Sequence, residues 1–256
     1  MTSLMSAADA ERALNDYFEK RGGHGHDAVR TAARHPIDAI RALRFIARLS
    51  VIDAELRTDG DAALVRRGLE RTNPLARRLI RGTTAVLVVP DTVEEFLAGS
   101  SESKRSLRTR FNRATRRGYH VHRTDGHEER RAVLALADRY ERSHPDELYR
   151  NQAPDNDYLL GVGTWLVAHD VDCRPLILAV PAISGEWAVL QHFKTLESSD
   201  DARLARYWMS VELVRELHAQ GVRYLADVLS PIGLPNGLRD FQRRLGYRLH
   251  RVRIRP

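Results

Sequence analysis

The sequence predicts a mixed α/β fold, with a sheet flanked by helices and an all-helical region ahead of it. Three observations predict it. Residues 1–81 carry apolar residues at helical spacing; at Thr83 the pattern changes to the β-branched run TTAVLVVP; and Trp187–Tyr247 alternates strand, helix, strand and helix with short connections. These set a soft boundary at 82/83, between a helical N-terminal region (1–82) and the sheet-bearing region (83–256). A chain of 256 residues holds one large or two small domains and can bury a sizeable core. With 43% hydrophobic and 29% charged residues it is a globular chain and not a disordered one.

In the first region, Ala10, Leu14, Tyr17 and Phe18 set the buried stripe of a helix over Ala7–Lys20, which the segment Arg21–Asp27 breaks. His24 and His26 in that break lack further ligands nearby and read as a polar turn, not a metal site. Pro36 starts the next helix, with Ile37, Ile40, Leu43, Phe45, Ile46, Leu49 and Ile52 as an apolar stripe to about Arg57. Shorter helices are expected at Ala62–Glu70 and Pro74–Arg81.

Beyond the strand at Thr83, Thr92 and Glu95 form a capping box for a short helix that Gly99 ends. The helix over Ser101–Gly118 buries Leu107, Phe111 and Ala114. Its remaining surface carries Lys104, Arg105, Arg108, Arg110, Arg113, Arg116 and Arg117 against Glu102. Nearly all of the formal charge of +7 is therefore local. A solvated face would account for it. Like charges one turn apart repel, however, which favours an anion or an acidic surface opposite. Arginine suits bidentate phosphate contacts, although the coding bias of a GC-rich genome would produce the same excess over lysine.

The strand Tyr119–Arg123 places His120 and His122 on one face, as a pair of exposed histidines or a zinc pair. Asp125 and Glu128 cap a helix to Ser143, and the polar stretch Asp146–Asp157 forms a loop over a site. A further helix is expected at Tyr158–Ala168. A hairpin turns at Ile183–Glu186 between the strands Arg174–Ala182 and Trp187–Leu196. On the second of these, strict alternation puts Gln191 and Phe193 on one face and His192 and Lys194 on the other. In the following helix Leu204, Trp208, Val211 and Leu217 form the core stripe, which leaves Tyr207 for the site. Asp227 ends the next strand, where it could deprotonate an amine or cap the turn that Ser230 opens. The single cysteine, Cys173, excludes an internal disulfide and a thiolate-cluster metal site. No metal ligand set is expected. No charged leader precedes an apolar run and no long apolar run is present, so a cytoplasmic protein with no membrane span is expected.

Three stretches, in order, resemble the GNAT acyltransferase superfamily and within it the Fem-type, tRNA-dependent peptidyltransferase branch, as a single-domain relative. KRSLRTRFNRATRRGYHVH is similar to that branch's basic helix and strand. YWMSVELVRELHAQGVRYLADV is similar to its helix, glycine and strand ending in Asp. GLRDFQRRLGY is similar to its terminal Phe-containing basic helix. The resemblance covers about two thirds of the chain. It implies transfer of an amino acid from aminoacyl-tRNA to an amine of a small or peptidic acceptor, with no metal and no bound cofactor.

Acyl-CoA users of the superfamily place a glycine-rich turn before the central helix, where bare N–H groups hold the pyrophosphate. The residues here are ESSDDARLAR, with no glycine and two aspartates. CoA is therefore a co-substrate only in the alternative of an N-acyltransferase with an atypical phosphate turn. A third reading is a catalytically silent fold that binds RNA. The resemblance also implies an oxyanion-stabilising lysine after Phe241, where this chain has Gln242 and then Arg243; either could donate a hydrogen bond to such an oxygen. The expected site is therefore Gln242, Arg243 and Asp227 for the chemistry. Gln191, Phe193, Tyr207, Ser230 and Phe241 would hold substrate, and the seven cations of the basic helix the tRNA.

Overall fold

The computed structural model describes residues 6–21, 34–58, 60–70, 83–229 and 234–255. His24, His26, the helix expected at Pro74–Arg81 and Ser230 lie outside the described residues. Eight strands form one mixed sheet: β1 (Val51–Glu55), β2 (Thr83–Val88), β3 (His120–Arg123), β4 (Leu166–His169), β5 (Pro175–Ser184), β6 (Trp187–Thr195), β7 (Tyr224–Asp227) and β8 (Arg248–Arg255). Their order across the sheet is β1-β8-β2-β7-β6-β5-β4-β3. β1 with β8 and β6 with β7 are parallel, and the other neighbours are antiparallel.

The helices are α1 (Ala7–Arg21), α2 (Pro36–Arg48), α3 (Ala62–Glu70), α4 (Val93–Leu97), α5 (Glu102–Arg116), α6 (His127–Arg142), α7 (Asp200–Ala219) and α8 (Asn236–Leu245). Helices α1, α2, α4, α5, α7 and α8 cover one face of the sheet. Their core joins Phe18, Ile46, Phe96, Leu107, Trp208 and Leu245 to Leu190 and Leu225. Helices α3 and α6 cover the other face, where Val65, Leu69, Val133 and Ala137 pack on Trp165, Val180 and Val189. The sheet is thus buried on both sides at its centre, which explains why β5 and β6 read as near-continuous apolar runs. Gly68 of α3 rests on the Val189 side chain so closely that a Cβ would come within 2.6 Å of it.

Several expectations change. The stretch to Arg81 is not wholly helical: α2 ends at Arg48, and Val51–Glu55 pairs in parallel with Val252 and its neighbours on β8. The N-terminal region therefore shares the sheet with the rest of the chain. The apolar stripe on α2 is only partly used, since Ala42 and Ile46 are buried while Ile37, Ile40 and Leu43 are exposed. Tyr158–Ala168 is not a helix; a 3-10 turn at Asp157–Gly161 leads into β4, which pairs with both β3 and β5. The cap of α6 is Gly126, with no side-chain hydrogen bond, and not Asp125. The capping of α4 holds: the Thr92 hydroxyl accepts from the Glu95 N–H at 3.1 Å, while Glu95 accepts from the Asp91 N–H.

One irregularity organises the site. Val180 faces His192 and Pro181 faces Leu190, so Gln191 has no opposite residue on β5 and forms a β-bulge. A bulge adds a residue to one strand, bends it and raises its twist. At the same point the pairing of β6 with β7 stops, Leu190 facing Asp227 as the last pair. The two parallel strands part there, and from Gln191 to Thr195 no residue of β7 pairs with β6.

Candidate active site

A cavity of about 600 Å³ fills the opening between the parted ends of β6 and β7. It lies at the carboxyl end of a parallel pair, where open sheets characteristically receive ligands. Its walls come from β6 (Gln191, His192, Phe193, Lys194), from α7 (Arg206, Tyr207, Ser210), from α8 (Phe241, Gln242), from Arg110 of α5, and from Tyr149 and Asn156 of the polar loop. A larger and more open depression of about 790 Å³ lies at the opposite end of the same strands, by Ser184, Trp187 and Tyr224. Its Asp53 is already held by Arg253 and Arg255, so the smaller cavity is the better candidate.

Asp227 stands where β7 ends. One carboxylate oxygen accepts the Leu229 N–H at 2.8 Å and the other accepts Nε2 of Gln242 at 2.6 Å. Burial pushes its pKa up against those two hydrogen bonds and the more distant charges of Arg206 and Lys194, all of which favour the anion. The result is a carboxyl group more basic than an ordinary aspartate. Burial also raises the hydroxyl of Tyr247, with the nearby Asp227 charge adding to the effect. Gln242 is buried, and its Nε2 has a second hydrogen besides the one given to Asp227. The resemblance implied an oxyanion donor at this position; in the structure the Gln242 amide donates to the Asp227 carboxylate.

Phe241 lies 6.3 Å from Phe193 and 5.3 Å from Tyr207, ring centre to ring centre. Trp208 is buried, as its place in the stripe requires, which turns Tyr207 to the cavity. His192 and Lys194 share one face and Phe193 takes the other, as expected, while the bulge puts Leu190 and Phe193, three residues apart, on the same side. Phe193 joins the core that contains Leu190, whereas His192 turns to Glu141 of α6 at 3.9 Å. Burial, and then the neighbouring Lys194, pull the His192 pKa down to about 3, so the imidazole is neutral and its contact with Glu141 is not an ion pair. Lys194, at 3.5 Å, is the partner of Glu141. Arg243 is on the outside of α8, bonded to Asp240 and 4.0 Å from Glu19, and is absent from the cavity wall.

The cations of α5 divide into two groups. The chain itself engages four. Lys104 donates to the Phe96 carbonyl at 2.6 Å, Arg108 donates to the carbonyls of Leu97 and Gly99, Arg110 stacks 4.3 Å from the centre of the Tyr207 ring, and Arg117 binds Asp201. The remaining three, Arg105, Arg113 and Arg116, are exposed and make no ion pair among the described residues. Their spacing of 8 and 11 residues keeps them on one side of the helix.

The first turn of α7 is closed by the chain's own groups. Ser199 caps it by accepting the Ala202 N–H at 3.0 Å. Asp201 receives the Tyr119 hydroxyl at 2.7 Å, binds the Arg117 guanidinium and lies 3.6 Å from Arg174. Burial and the bond to Asp201 push the Tyr119 hydroxyl up to about 12, so it remains a donor across the physiological range. Cys173 is exposed in a turn with φ of +60° and is remote from the cavity wall. No group of metal-ligating side chains occurs among the described residues.

Arg206 is the residue that sequence reasoning missed. Its guanidinium lies 4.7 Å from the Phe241 ring centre and 5.7 Å from that of Phe193, and its Nε is buried without a hydrogen-bond partner. An arginine on a helix reads as solvated from sequence alone; the aromatic residues that enclose it come from β6 and α8.

No family model matches the chain, and no curated relative does. Among solved structures, L-PGS from Bacillus licheniformis is similar at 16% identity and a TM-score of 0.47, covering 66% of this chain and 58% of that one. The C-terminal domain of a putative lysylphosphatidylglycerol synthetase from Agrobacterium fabrum is similar at 15% identity and a TM-score of 0.48, covering 66% and 57%. A conserved protein of unknown function from Bacteroides thetaiotaomicron follows at 14% and 0.43. The chain thus spans less than two thirds of the length of these proteins. No helix among the described residues is long and apolar enough to cross a membrane.

Proposed function

We propose that the chain is an aminoacyltransferase that takes an amino acid from aminoacyl-tRNA and forms an amide on the amine of a small or peptidic acceptor. The observation that carries this reading is the contrast beside the parted strands. A cavity holds a half-buried Asp227 more basic than an ordinary aspartate, while at the first turn of α7, where a CoA pyrophosphate would bind, Ser199 caps the Ala202 N–H and the Asp201 carboxylate is held by Tyr119, Arg117 and Arg174. A carboxylate already bound at that position repels a pyrophosphate. The exposed stripe Arg105, Arg113 and Arg116 offers phosphate contacts that position a nucleic acid without reading its sequence.

An aminoacyl ester is already activated, so the protein has chiefly to hold two reactants together and move one proton. Asp227 takes a proton from the acceptor amine. The nitrogen attacks the ester carbonyl carbon, the C–N bond forms, and the C–O bond to the terminal ribose breaks. The proton is delivered to the departing ribose oxygen. Gln242 orients Asp227, and its second N–H is available to the carbonyl oxygen as negative charge develops there.

The test is to incubate the protein with charged tRNA and a panel of amines and to look for the amide by mass spectrometry. The reading expects an amide, together with tRNA carried through purification. Consumption of acetyl-CoA without loss of aminoacyl-tRNA would overturn it in favour of an ordinary N-acyltransferase.

A further inference from the structure

The guanidinium of Arg206 is anomalous as a structural group. Among the described residues no carboxylate stands within ion-pairing distance of it, its Nε is buried without a partner, and its packing neighbours are the faces of two phenylalanine rings. Burying an unpaired charge is costly, and a mid-helix apolar residue would pack against Phe193 and Phe241 without that cost. Burial duly pulls the pKa of Arg206 down. A charge kept at a cost, at the wall of the cavity, is a group awaiting an anion.

We propose that Arg206 binds the carboxylate of the acceptor, which makes the acceptor an amino-acid-like or peptide-like molecule bearing both an amine and a carboxylate. This rests on the aminoacyltransferase reading and deepens it. Of the other cations at the cavity wall, Lys194 pairs with Glu141, Arg203 pairs with Asp200, and Arg110 donates to the Ser106 hydroxyl at 3.3 Å while lying on the face of Tyr207. Among these cations Arg206 is the one with a buried donor left without a partner. The guanidinium is a planar fork whose edge pairs two N–H groups with the two oxygens of a carboxylate, and its contacts with Phe193 and Phe241 are to rings that offer it no anionic acceptor. Asp227 lies close enough for the Arg206 charge to favour its anionic form. An acceptor with its carboxylate on Arg206 can therefore hold its amine towards Asp227. Tyr207, Tyr149, Asp227 and Tyr140 stand near enough to act on the guanidinium charge, and of these only Asp227 is a carboxylate.

The test is direct binding without any tRNA, so that its outcome is separate from that of the transfer assay. Titrations compare alanyl-alanine, its C-terminal amide, and glycerophosphoglycerol, whose single anionic group is a phosphodiester. The dipeptide is expected to bind at least about tenfold more tightly than its amide, in keeping with the strength of charge-assisted hydrogen bonds. Arg206→Met is expected to erase that preference, and Arg206→Lys to restore part of it. Arg206→Met should also melt no lower than the parent, because it removes a buried unpaired charge; a lower melting temperature would assign Arg206 to the fold and overturn the proposal. Equal affinity for dipeptide and amide, or binding of the phosphodiester alone, would overturn it as well. If the dipeptide shows the expected preference but no amide forms from charged tRNA, the carboxylate subsite stands and the donor assignment fails.

Discussion

Helix α7 presents two places for an anion, roughly 7.5 Å apart along its axis from residue 201 to residue 206, and the chain treats them in opposite ways. At the first turn Ser199 caps the Ala202 N–H, and the Asp201 carboxylate is held by Arg117, Tyr119 and Arg174, so an anion is already in place from within the chain. At Arg206 a cation is enclosed by aromatic rings with no carboxylate within ion-pairing distance among the described residues. The first arrangement stabilises the fold and closes a site that nucleotide-bearing donors could use. The second sacrifices stability and keeps a site open. An internally neutralised charge reports on structure, whereas an unneutralised one beside a cavity reports on a ligand.

The largest effect that would break this contrast is expected at Asp227. Asp227→Asn should lower kcat by about two to four orders of magnitude if the carboxylate is the base, while the melting temperature stays level or rises. The sign follows from the raised pKa. The stability linked to its protonated form is present below the ordinary carboxylate range and is lost as pH rises through the raised value, so at neutral pH the ionised group is a burden that asparagine removes. By the same linkage the acid limb of kcat/KM in the parent should lie above the usual aspartate range and disappear in the variant. An acid limb unchanged by the substitution would remove Asp227 from the chemistry.

The next effect concerns the outer face of α5. Replacing Arg105, Arg113 and Arg116 together by glutamine should reduce the slope of log affinity for tRNA against log salt by about 2 to 3. Affinity for the dipeptide should not change. Replacing Lys104 and Arg108, which bond to backbone carbonyls, should instead lower stability with little change in that slope. The smallest effect is expected at the closed end of α7. Asp201→Ala leaves Arg117 and Tyr119 without their acceptor at a partly exposed position, and should cost about 1 kcal/mol, or a melting temperature lower by about 2–4 °C. Thermal denaturation measures it, and a variant as stable as the parent would show that the first turn is not locked.

The centre of the sheet and the roles of Trp208 and Tyr207 were legible in the sequence because they follow from local periodicity. Trp187–Tyr247 alternates within itself, and its helix stops at Gly221, just before β7. β1 was not legible. Leu49 and Ile52 continue the helical spacing of Ile46, and only β8, some 200 residues later, makes Val51–Glu55 a strand. β4 was lost for the same reason, since its four residues are defined by partners on both sides. Of the residues that line the cavity, Asp227, Phe193 and Tyr207 were expected from a strand end, strand alternation and a helix stripe, and Phe241 and Gln242 from the resemblance. The bond between Asp227 and Gln242, the bulge at Gln191 and the enclosure of Arg206 come from contacts between distant segments. The division of the α5 cations likewise depends on the carbonyls of α4 and its exit, and on Asp201, which composition does not show.

The most direct test of the account is a single-turnover reaction of excess protein with tRNA carrying a radiolabelled amino acid, with and without alanyl-alanine. The account predicts that label moves from tRNA to the dipeptide, and that Asp227→Asn slows this at least about a hundredfold. Label that stays on the tRNA at the rate seen in buffer alone, whichever amino acid and amine are supplied, would contradict it.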